Sequence, residues 1–484
     1  MKILFVSSEV SPFAKTGGLA DVAGALPKAL KKSGHDVRII MPLYHCVETG
    51  GFTIKKARKG FEVPVDGVMR KGLLRQSTLD DIPVYLVENK EYFQRDALYG
   101  TPAGDYPDNN QRFGFFCQSV VEILKRLDFR PDIIHCHDWQ TALIPYLIRH
   151  EHKDDPFFAR TALVYTIHNL AYQGIFEREM LSSFGLDDDH FTVDRLEYYG
   201  KINLMKGGIL AADVVNTVSN AYCREIRTEE LGCGLQGVLR ERAHDLYGIL
   251  NGIDYQDWNP ATDPHIFKNY TSSTLSGKAA NKKNLQKVLG LEQNPSIPLL
   301  GMITRLAAQK GLDLLEALLP KLQAEKLQLV LLGTGDEKYM KMFSALREKP
   351  TDTLSINLSF DLALSHKIYA ASDMFLMPSR YEPCGLGQLI SFRYGAVPVV
   401  RKTGGLADTV FDLRDGVREP NGFTFDEYSP EAFQDAISRA LKTYQDRKKW
   451  DKMVRTGMNS DFSWDHSAAE YEVLYEKALN KIHE

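Results

Sequence analysis

The sequence predicts an α/β protein of two doubly wound domains, each a largely parallel β-sheet with helices on both faces. Three observations predict this fold class. Short apolar runs alternate with helical patterns along the chain. The runs are continuous rather than alternating, as in buried parallel strands, and the whole series occurs twice. With 484 residues, the chain is also too long for one ordinary core, since roughly 100–200 residues per domain is typical.

The predicted strands form two series, one in each half of the chain, and each series is expected to form one sheet. The first comprises residues 3–6, 37–41, 84–87, 133–136, 162–167 and 214–217. The second begins near residue 298 and comprises residues 299–303, 329–332, 374–377 and 397–400. Stretches with a helical pattern separate several of these strands, at residues 20–32, 112–127, 139–149, 313–325 and 369–372.

The boundary between the two domains is predicted between residue 250 and the polar stretch 269–284. Within that stretch, residues 270–277 have the composition of a surface loop. The final segment, residues 463–482, has a helical pattern, and Ser463 is a suitable N-cap residue. We therefore expect three parts: an N-terminal domain at residues 1–250, a C-terminal domain at 251–460 and a C-terminal helix at 461–484.

Charge and cysteine usage argue against several classes of protein. Lys plus Arg number 59 and Asp plus Glu 63, a formal net charge of −4, which gives no support for a nucleic-acid or membrane partner. The six cysteines form no Cys-x-x-Cys pair and have no metal-ligand spacing with histidine, so a reduced intracellular protein is expected. The first apolar run is too short for a signal peptide, and no run of about 18 apolar residues occurs, so we expect a cytoplasmic protein.

One heptapeptide, Lys-Thr-Gly-Gly-Leu-Ala-Asp, occupies residues 15–21 and recurs without change at residues 402–408. Each copy follows a predicted strand and opens a predicted helix. Glycine lets backbone N–H groups approach an anion, and the helix dipole favours negative charge there. We therefore interpret the copies as ligand-facing turns of two related domains; the alternative is two ordinary turns that share their chemistry. The candidate substrate-binding residues of the two copies are Lys15, Gly18, Thr403 and Gly404.

Two candidate catalytic residues of the first domain follow predicted strands. Asp138 comes after the strand 133–136, and His168 comes after the strand 162–167. Ligands of open α/β sheets bind at the carboxyl ends of strands, which favours a functional role for both. The alternatives are that Asp138 caps the helix beginning at Trp139 and that His168 is a satisfied core histidine.

Arg305 and Lys310 lie between a predicted strand and a predicted helix of the second domain. A leaving diphosphate gains negative charge as its bond to a sugar breaks, and fixed cations stabilise that transition state. Cations at a helix N-terminus oppose the dipole, so their presence needs another reason. We interpret both as candidate catalytic residues; the alternative is solvated charges at a helix start.

Glu382 lies in a Pro- and Gly-rich segment, residues 378–388, that also precedes a predicted helix. Its carboxylate is a candidate acceptor of hydrogen bonds from sugar hydroxyls, and the amides that follow are candidates to face a phosphate. The alternative is that Glu382 caps the helix. The substrate-binding candidates after it are Cys384, Gly385, Leu386 and Gly387. The sequence has no hydrolase carboxylate pair and no Gly-x-Ser-x-Gly, zinc spacing or Walker loop, so neither a metal nor a cofactor is expected.

Together these segments resemble the bacterial glycogen synthase and plant starch synthase family. The resemblance runs in family order from residue 1 to about residue 410, and the set of motifs is specific although no single motif is. The matching segments are Lys15-Thr-Gly-Gly-Leu19, His137-Asp-Trp-Gln140, Thr166-Ile-His-Asn-Leu-Ala-Tyr-Gln-Gly174, Asn251-Gly-Ile-Asp254, Arg305-Leu-x-x-Gln-Lys-Gly311, Glu382-Pro-Cys-Gly-Leu386 and Arg401-Lys-Thr-Gly-Gly-Leu-Ala-Asp408.

The resemblance implies the two-domain glycosyltransferase fold called GT-B, with the active site in a cleft between the domains. It implies transfer of glucose from ADP-glucose to the non-reducing 4-OH of glycogen or another α-1,4-glucan, with retention of configuration and without a metal. The N-terminal domain would carry the glucan side and the C-terminal domain the donor side. The C-terminal helix would cross back to the N-terminal domain.

The same resemblance implies a role for each candidate residue. Lys15 and Gly18 approach the phosphates and sugar of the donor, while Arg305 and Lys310 hold the diphosphate. The backbone carbonyl of His168 lies under the anomeric carbon. The residues implied to contact glucose or the base are Glu382 at the glucose hydroxyls, Asp21, Asp138 and Asn251 at the sugar site, and Phe360 stacked on the base.

Two positions depart from the family pattern. Residue 387 is glycine where threonine is expected, so an amide contact survives there and a hydroxyl contact does not. Ile390 stands where many related retaining transferases carry a second acid, eight residues after the first. Synthases of this family commonly lack that acid, so Ile390 favours them over more distant relatives.

Two other functions stay open from the sequence. A transferase using UDP-glucose and another acceptor would need the same diphosphate-binding cations. A glucan-binding scaffold without turnover would not need them, so the presence of Lys15, Arg305, Lys310 and Glu382 argues against it. The oligomeric state is not predicted.

Overall fold

The computed structural model describes residues 1–56, 60–101, 104–127, 129–348, 351–416 and 419–483. The chain forms two compact units, here called unit 1 and unit 2. Unit 1 is Met1–Gly252 together with Trp464–Glu484, and unit 2 is Ile253–Ser463. Glu484, the last residue of the expected C-terminal helix, lies outside the described residues.

Unit 1 contains both strands and helices in alternation. Its strands are β1 (Lys2–Val6), β2 (Asp36–Pro42), β3 (Lys55–Lys56), β4 (Phe61–Val65), β5 (Val68–Leu79), β6 (Ile82–Glu88), β7 (Gly100–Thr101), β8 (Gly104–Asp105), β9 (Ile133–His137), β10 (Ala162–Ile167), β11 (Ile175–Glu177), β12 (Glu197–Tyr198), β13 (Lys201–Asn203), β14 (Val214–Thr217) and β15 (Leu246–Gly248). Its helices up to residue 252 are α1 (Gly18–Lys32), α2 (His45–Thr49), α3 (Lys90–Phe93), α4 (Asn109–Leu124), α5 (Leu143–His150), α6 (Leu204–Ala211), α7 (Asn220–Glu225) and α8 (Gln236–Glu241).

The main sheet of unit 1 has the order β15-β14-β10-β9-β1-β2-β6-β5-β3 within the described residues, and β4 pairs with β5. The pairs from β15 to β6 are all parallel. Residues 3–6 of β1 have no exposed surface, as expected for a strand covered by helices on both faces. The order reverses at β1, since β2 lies on one side and β9 on the other. Such a reversal opens the crevice in which α/β sheets bind ligands.

Unit 2 repeats this architecture on a smaller scale. Its strands are β16 (Leu299–Ile303), β17 (Gln328–Leu332), β18 (Leu354–Asn357), β19 (Met374–Met377), β20 (Val397–Arg401) and β21 (Phe423–Phe425). Its helices are α9 (Ser276–Val288), α10 (Leu312–Ala324), α11 (Glu337–Arg347), α12 (Leu362–Ala371), α13 (Gly387–Arg393), α14 (Gly404–Thr409), α15 (Pro430–Gln445) and α16 (Arg447–Asn459).

The sheet of unit 2 has the order β18-β17-β16-β19-β20-β21 in the described part of the chain, with every pair parallel. Its order reverses between β16 and β19. Two doubly wound α/β units therefore confirm the predicted fold class, and each of the ten predicted strands is present.

The final helix, α17 (Trp464–His483), packs on unit 1 through polar as well as apolar contacts. The Tyr475 hydroxyl lies 2.9 Å from Nδ1 of His135. The Ser467 hydroxyl donates to the backbone oxygen of Leu250 at 2.7 Å. Among the helices of the described ranges, none is long and apolar enough to cross a membrane.

The prediction of a surface loop at residues 270–277 is confirmed for residues 271–275, which form a loop with exposed or half-buried side chains, but not for the ends of the stretch. Tyr270 is 2% exposed, and its hydroxyl donates to the backbone oxygen of Tyr394 at 2.7 Å. Helix α9 already begins at Ser276. The burial of Tyr270 was not predictable from the polar composition of the stretch, because its partner lies far away in sequence. The predicted helix 139–149 is also divided, into a 3-10 turn at Trp139–Thr141 followed by α5.

Candidate active site

The candidate residues of unit 1 follow three neighbouring strands. The Lys15 segment follows β1, Asp138 follows β9 and His168 follows β10. Because these strands are adjacent and parallel, their carboxyl ends share one edge of the sheet, beside the reversal at β1. The structure therefore places these residues where an α/β sheet of this kind binds its ligand.

A buried carboxylate, Glu9, anchors the segment after β1. Glu9 is 3% exposed and accepts hydrogen bonds from the Thr16 N–H (2.5 Å), the Thr16 hydroxyl (2.6 Å) and the Gly17 N–H (3.2 Å). The Tyr99 hydroxyl donates to the same carboxylate at 2.7 Å. A single side chain thus fixes the backbone of an otherwise exposed loop.

Lys15, Gly18 and Asp21 lie on this loop and the first turn of α1, and residues 15–18 are exposed. The Lys15 Nζ and an Asp21 carboxylate oxygen are 2.5 Å apart, with side chains 41% and 33% exposed. An ion pair this exposed contributes about 0.2–1 kcal/mol, so a ligand can displace it at small cost. Asn251 is buried, and within the described residues its Oδ1 has no hydrogen-bond partner. An unsatisfied buried acceptor calls for an explanation, and a bound ligand is one.

Asp138 joins the ends of β9 and β10. Its carboxylate accepts the His168 N–H at 2.7 Å, and its own N–H donates to the backbone oxygen of Thr166 at 3.0 Å. Asp138 has φ 55° and ψ −178°, a conformation that costs a residue with a side chain about 1–3 kcal/mol. Burial raises the pKa of its carboxyl to about 7. The helix-cap alternative is wrong, because the carboxylate bonds to the His168 amide and makes no capping bond to the turn that follows.

His168 is 9% exposed and lies against a second buried histidine. Its Nε2 is 3.0 Å from Nδ1 of His137, whose ring centroid lies 4.1 Å from that of His135. Burial lowers the pKa of His168 to about 3, so its imidazole is neutral near pH 7. A neutral ring supplies hydrogen bonds but no charge. Asp138 bonds to the backbone of His168 and not to its ring.

In unit 2, Lys310 and Glu382 form an ion pair at the sheet reversal between β16 and β19. The Lys310 Nζ donates to both carboxylate oxygens of Glu382, at 2.9 and 2.8 Å. The Ser379 hydroxyl donates to the same carboxylate at 2.8 Å, and the two charged side chains are 20% and 8% exposed. The helix-cap alternative for Glu382 is wrong, since α13 begins at Gly387 without a side-chain cap.

Glycines allow the loops around this ion pair to pack closely. Gly311 has φ 69°, and a Cβ there would lie 1.9 Å from the backbone oxygen of Pro378. Gly404 has φ 46°, and a Cβ there would lie 1.9 Å from the backbone oxygen of Glu382. The Arg380 N–H donates to the Gln309 oxygen at 2.8 Å. The loops after β16, β19 and β20 are therefore joined backbone to backbone, which fixes the distance between Lys310 and Glu382.

The remaining candidates of unit 2 lie on the same loops, except Phe360. Arg305 is exposed and follows β16, and Phe360 lies between β18 and α12 with 82% of its surface exposed. The others follow β19 or β20: Cys384, which is buried, Gly385, with φ 74°, Leu386, the N-cap of α13, Gly387, its first residue, and buried Thr403. In the part of the chain described, no group of three or more His, Cys, Asp and Glu side chains is arranged to hold a metal ion.

Sequence reasoning missed three residues that hold the site, Glu9, Tyr99 and Ser379, and named His137 only as part of a matching segment. Glu9 carried a usable signal, since it is an acid directly beyond the first apolar run, at the carboxyl end of a predicted strand. Ser379 lies three residues before Glu382 and could have been tested as its partner. Nothing in the sequence pairs Tyr99 with Glu9, because they are 90 residues apart.

Two protein-family models match the chain, one in each unit. The starch synthase catalytic domain matches residues 2–241, and the group 1 glycosyl transferases match residues 282–456. Among curated proteins, a glycogen synthase of Geotalea daltonii is 63% identical over 481 residues, covering 99% of both chains. A glycogen synthase of Thermotoga petrophila is 50% identical and covers 100% of both.

Solved structures agree with these matches. The catalytic domain of starch synthase IV from Arabidopsis thaliana, bound to ADP and acarbose, superposes with a TM-score of 0.93 at 38% identity and covers 99% of both chains. Sucrose-phosphate synthase from Thermosynechococcus elongatus, at 17% identity and a TM-score of 0.61, shares the fold alone. The chain therefore belongs to the glycogen and starch synthase family of glycosyltransferases, with the GT-B fold.

Proposed function

We propose that the protein is a glycogen synthase that transfers glucose from ADP-glucose to the non-reducing 4-OH of an α-1,4-glucan, with retention of configuration. The observation that carries the proposal is the Lys310–Glu382 ion pair at the sheet reversal of unit 2. It sets a cation suited to a diphosphate beside a carboxylate suited to sugar hydroxyls, as a sugar nucleotide requires. Family membership favours glucose and a glucan as the transferred group and the acceptor.

In the proposed reaction the bond between glucose C1 and the β-phosphate oxygen breaks, and ADP leaves with the electron pair. A new bond forms between C1 and the acceptor 4-oxygen on the same face, and the proton of the 4-OH passes to the departing phosphate oxygen of ADP. Arg305 and Lys310 stabilise the charge that grows on the diphosphate. Glu382 accepts hydrogen bonds from the glucose hydroxyls, and the amides from Cys384 to Gly387 face the phosphates.

Unit 1 supplies the acceptor side in this proposal. The His168 carbonyl stabilises positive charge developing at C1, and Asp138 holds that peptide through the His168 N–H. Because His168 is neutral near pH 7, its ring adds no cation beside the developing positive charge. Lys15 and Gly18 approach the donor phosphates, and the remaining sugar contacts come from Asp21 and Asn251. Thr403 and Gly404 add backbone contacts from unit 2.

For the donor base, we propose stacking on Phe360, whose ring is 82% exposed. Base stacking on an aromatic side chain is worth about 1–3 kcal/mol in nucleic-acid complexes, and a purine covers more of the ring than a pyrimidine does. The starch synthase IV structure contains ADP, which supports an adenine donor. We further propose that the enzyme works in the cytoplasm, where nucleotide sugars and reduced cysteines coexist.

A radiolabel assay with ADP-glucose or UDP-glucose, with and without glycogen, tests the proposal. We expect label in glycogen from ADP-glucose, and a much lower rate from UDP-glucose. Glu382→Gln should lower the rate of transfer sharply, since the amide keeps one acceptor oxygen but turns an NH₂ donor toward the glucose hydroxyls or toward Lys310. The matched control Glu316→Gln removes an exposed carboxylate from α10 and should leave the rate unchanged. Preference for UDP-glucose would contradict the donor assignment, and glycogen binding without transfer would favour a scaffold.

A further inference from the structure

Tyr199 occupies a strained position at the tip of the hairpin between β12 and β13. Tyr198 pairs with Lys201 across this hairpin, which leaves Tyr199 and Gly200 as its two-residue turn. Both have positive φ, 51° and 80°, as in a type I′ turn, for which Asn, Asp or Gly is favoured. A bulky aromatic residue is an outlier in this conformation. The turn therefore holds a tyrosine at a cost that asparagine would avoid.

The Tyr199 ring is held outward rather than packed. It is 81% exposed, and within the described residues its hydroxyl makes no hydrogen bond. Its ring meets that of Tyr198 edge to face, at 4.8 Å and 82°. Tyr198 is itself fixed, since its hydroxyl donates to the Cys233 backbone oxygen at 2.9 Å. The hairpin thus presents one oriented aromatic face to solvent.

The hairpin is continuous with the loop that carries His168. Strand β13 pairs with β11, and β11 follows that loop in the chain. Tyr172 in that loop and Ile175, the first residue of β11, are 52% and 44% exposed. The loop that carries His168 and the small sheet next to it in the chain therefore both present exposed aromatic or apolar side chains, and Tyr199 is one of them.

We propose that Tyr199 is a binding platform for the α-1,4-glucan acceptor, beyond the residues that surround the reacting glucose. One face of a glucopyranose ring presents C–H groups, which pack on the negatively polarised face of an aromatic ring. The inference rests on the proposed function in one respect, namely that the acceptor is a glucan. The strain at Tyr199 is then the stability given up for a surface that binds sugar.

The surroundings of Tyr199 suit a carbohydrate better than a protein. Lys201 and Glu177 form an ion pair at 2.6 Å beside the turn, with side chains 49% and 56% exposed. A stable protein interface needs about 1,000 Å² of complementary surface with an apolar core. One ring among charged side chains falls well short of that, whereas a single sugar unit needs no more than one ring and polar neighbours.

Tyr199→Asn tests the proposal because it has opposite effects on two properties, the stability of the strained turn and the binding of sugar to the exposed ring. Asparagine relaxes the turn, so the midpoint of thermal unfolding should rise. It removes the ring, so the affinity for glycogen in nucleotide-free affinity electrophoresis should fall at least about fivefold, which is about 1 kcal/mol. The KM for glycogen should rise to match, while kcat and the KM for ADP-glucose stay unchanged. Tyr199→Phe keeps the ring and should bind like wild type.

Asp80→Asn is the matched control, since Asp80 also has positive φ (52°) but lies in the exposed turn between β5 and β6. It should leave glycogen affinity unchanged. Wild-type affinity in Tyr199→Asn would overturn the proposal, as would a wild-type protein that binds no glycogen. A change of oligomeric state with unchanged glycogen affinity would overturn it in favour of a protein contact. Because glycogen binding is measured without nucleotide, the result can be interpreted even if ADP-glucose proves not to be the donor.

Discussion

The heptapeptide at residues 15–21 lies open on the surface of unit 1, whereas its identical copy at residues 402–408 is packed inside unit 2. In the first copy, residues 15–18 are exposed and helix α1 begins at Gly18. In the second, residues 403–406 are buried and α14 begins one position earlier in the repeat, at Gly404. Gly17 has an extended φ of −155°, while its counterpart Gly404 has φ 46°.

Different partners hold the two copies. The first is anchored by one side chain, the Glu9 carboxylate, which bonds to Thr16 and Gly17. The second is anchored by backbone, because the Gly405 N–H donates to the Glu382 and Pro383 oxygens at 3.2 Å each. A Cβ on Gly17 would meet nothing within 4 Å, whereas a Cβ on its counterpart Gly404 would lie 1.9 Å from the Glu382 oxygen, and one on the next residue, Gly405, would lie 1.9 Å from the Cys384 oxygen.

The comparison shows that one sequence can need its glycines for two reasons. In the first copy, glycine leaves space that a ligand can use. In the second, glycine leaves space that the protein itself fills, and in doing so it fixes the backbone of Glu382. The shared turn chemistry is local, but the conformation is chosen by tertiary partners.

The largest difference between the copies should appear in catalysis when each lysine is removed. Lys15 lies on the exposed loop, and loss of a preorganised charge-stabilising contact typically costs about 10²–10³ in rate. Lys402 instead pairs with Asp415 at 3.0 Å on the surface. We therefore expect Lys15→Ala to lower kcat/KM for ADP-glucose by about that factor, while Lys402→Ala changes it less than about twofold. Equal losses in the two variants would show that the copies share one role.

The next largest effect is on stability, where we expect a glycine substitution to cost more in the second copy than in the first. Alanine at Gly405 must push the Cys384 oxygen aside, and overpacking of this kind typically costs about 1–3 kcal/mol. Alanine at Gly17 meets open space and should stay within about 0.5 kcal/mol of wild type. Urea unfolding of Gly405→Ala and Gly17→Ala measures both. A destabilised Gly17→Ala would mean that the first copy also packs against the protein.

Glu9→Gln sharpens the comparison by removing the anchor of the first copy alone. The amide keeps one acceptor but turns an NH₂ group toward donors of Thr16, Gly17 and Tyr99, and an unsatisfied buried polar group costs about 1–3 kcal/mol. We expect a lower stability of this order and a raised KM for ADP-glucose, because the Lys15 loop is no longer fixed. Unchanged kinetics in a destabilised Glu9→Gln would limit Glu9 to a structural role.

The sequence predicted the parts of the fold that depend on continuous apolar runs. All ten strands are of this kind, and the bounds of α10 and α17 follow the predicted helices within a residue. It did not predict the burial of Tyr270 and Lys278, on either side of the polar loop, because both are buried by distant partners. Lys278 shows the reason: its Nζ donates to the Ala370 and Tyr394 backbone oxygens at 3.1 and 2.9 Å, which no local pattern reveals.

For the candidate site, residue types at strand ends were enough to predict Asp138 and His168 in unit 1, and Lys310 and Glu382 in unit 2, as candidate residues. The hydrogen bonds within each pair were not predictable. Both helix-cap alternatives considered only residues nearby in sequence, whereas His168, which donates to Asp138, and Lys310, which donates to Glu382, each follow another strand. Contacts between loops depend on sheet order, and a single sequence does not give that order.

The smallest expected effect concerns the ion pair inside the first copy. Lys15 and Asp21 are 2.5 Å apart but 41% and 33% exposed, so solvent screens their attraction. A double-mutant cycle of Lys15→Ala and Asp21→Asn should give a coupling of about 0.2–1 kcal/mol in stability. The same cycle in kcat/KM distinguishes two roles for Asp21. If Asp21 only orients Lys15, Asp21→Asn has no effect once Lys15 is alanine; if it contacts the sugar, as we expect, the two losses add. The pair Lys402 and Asp415 provides the control, since its cycle should show a similar coupling in stability and none in activity.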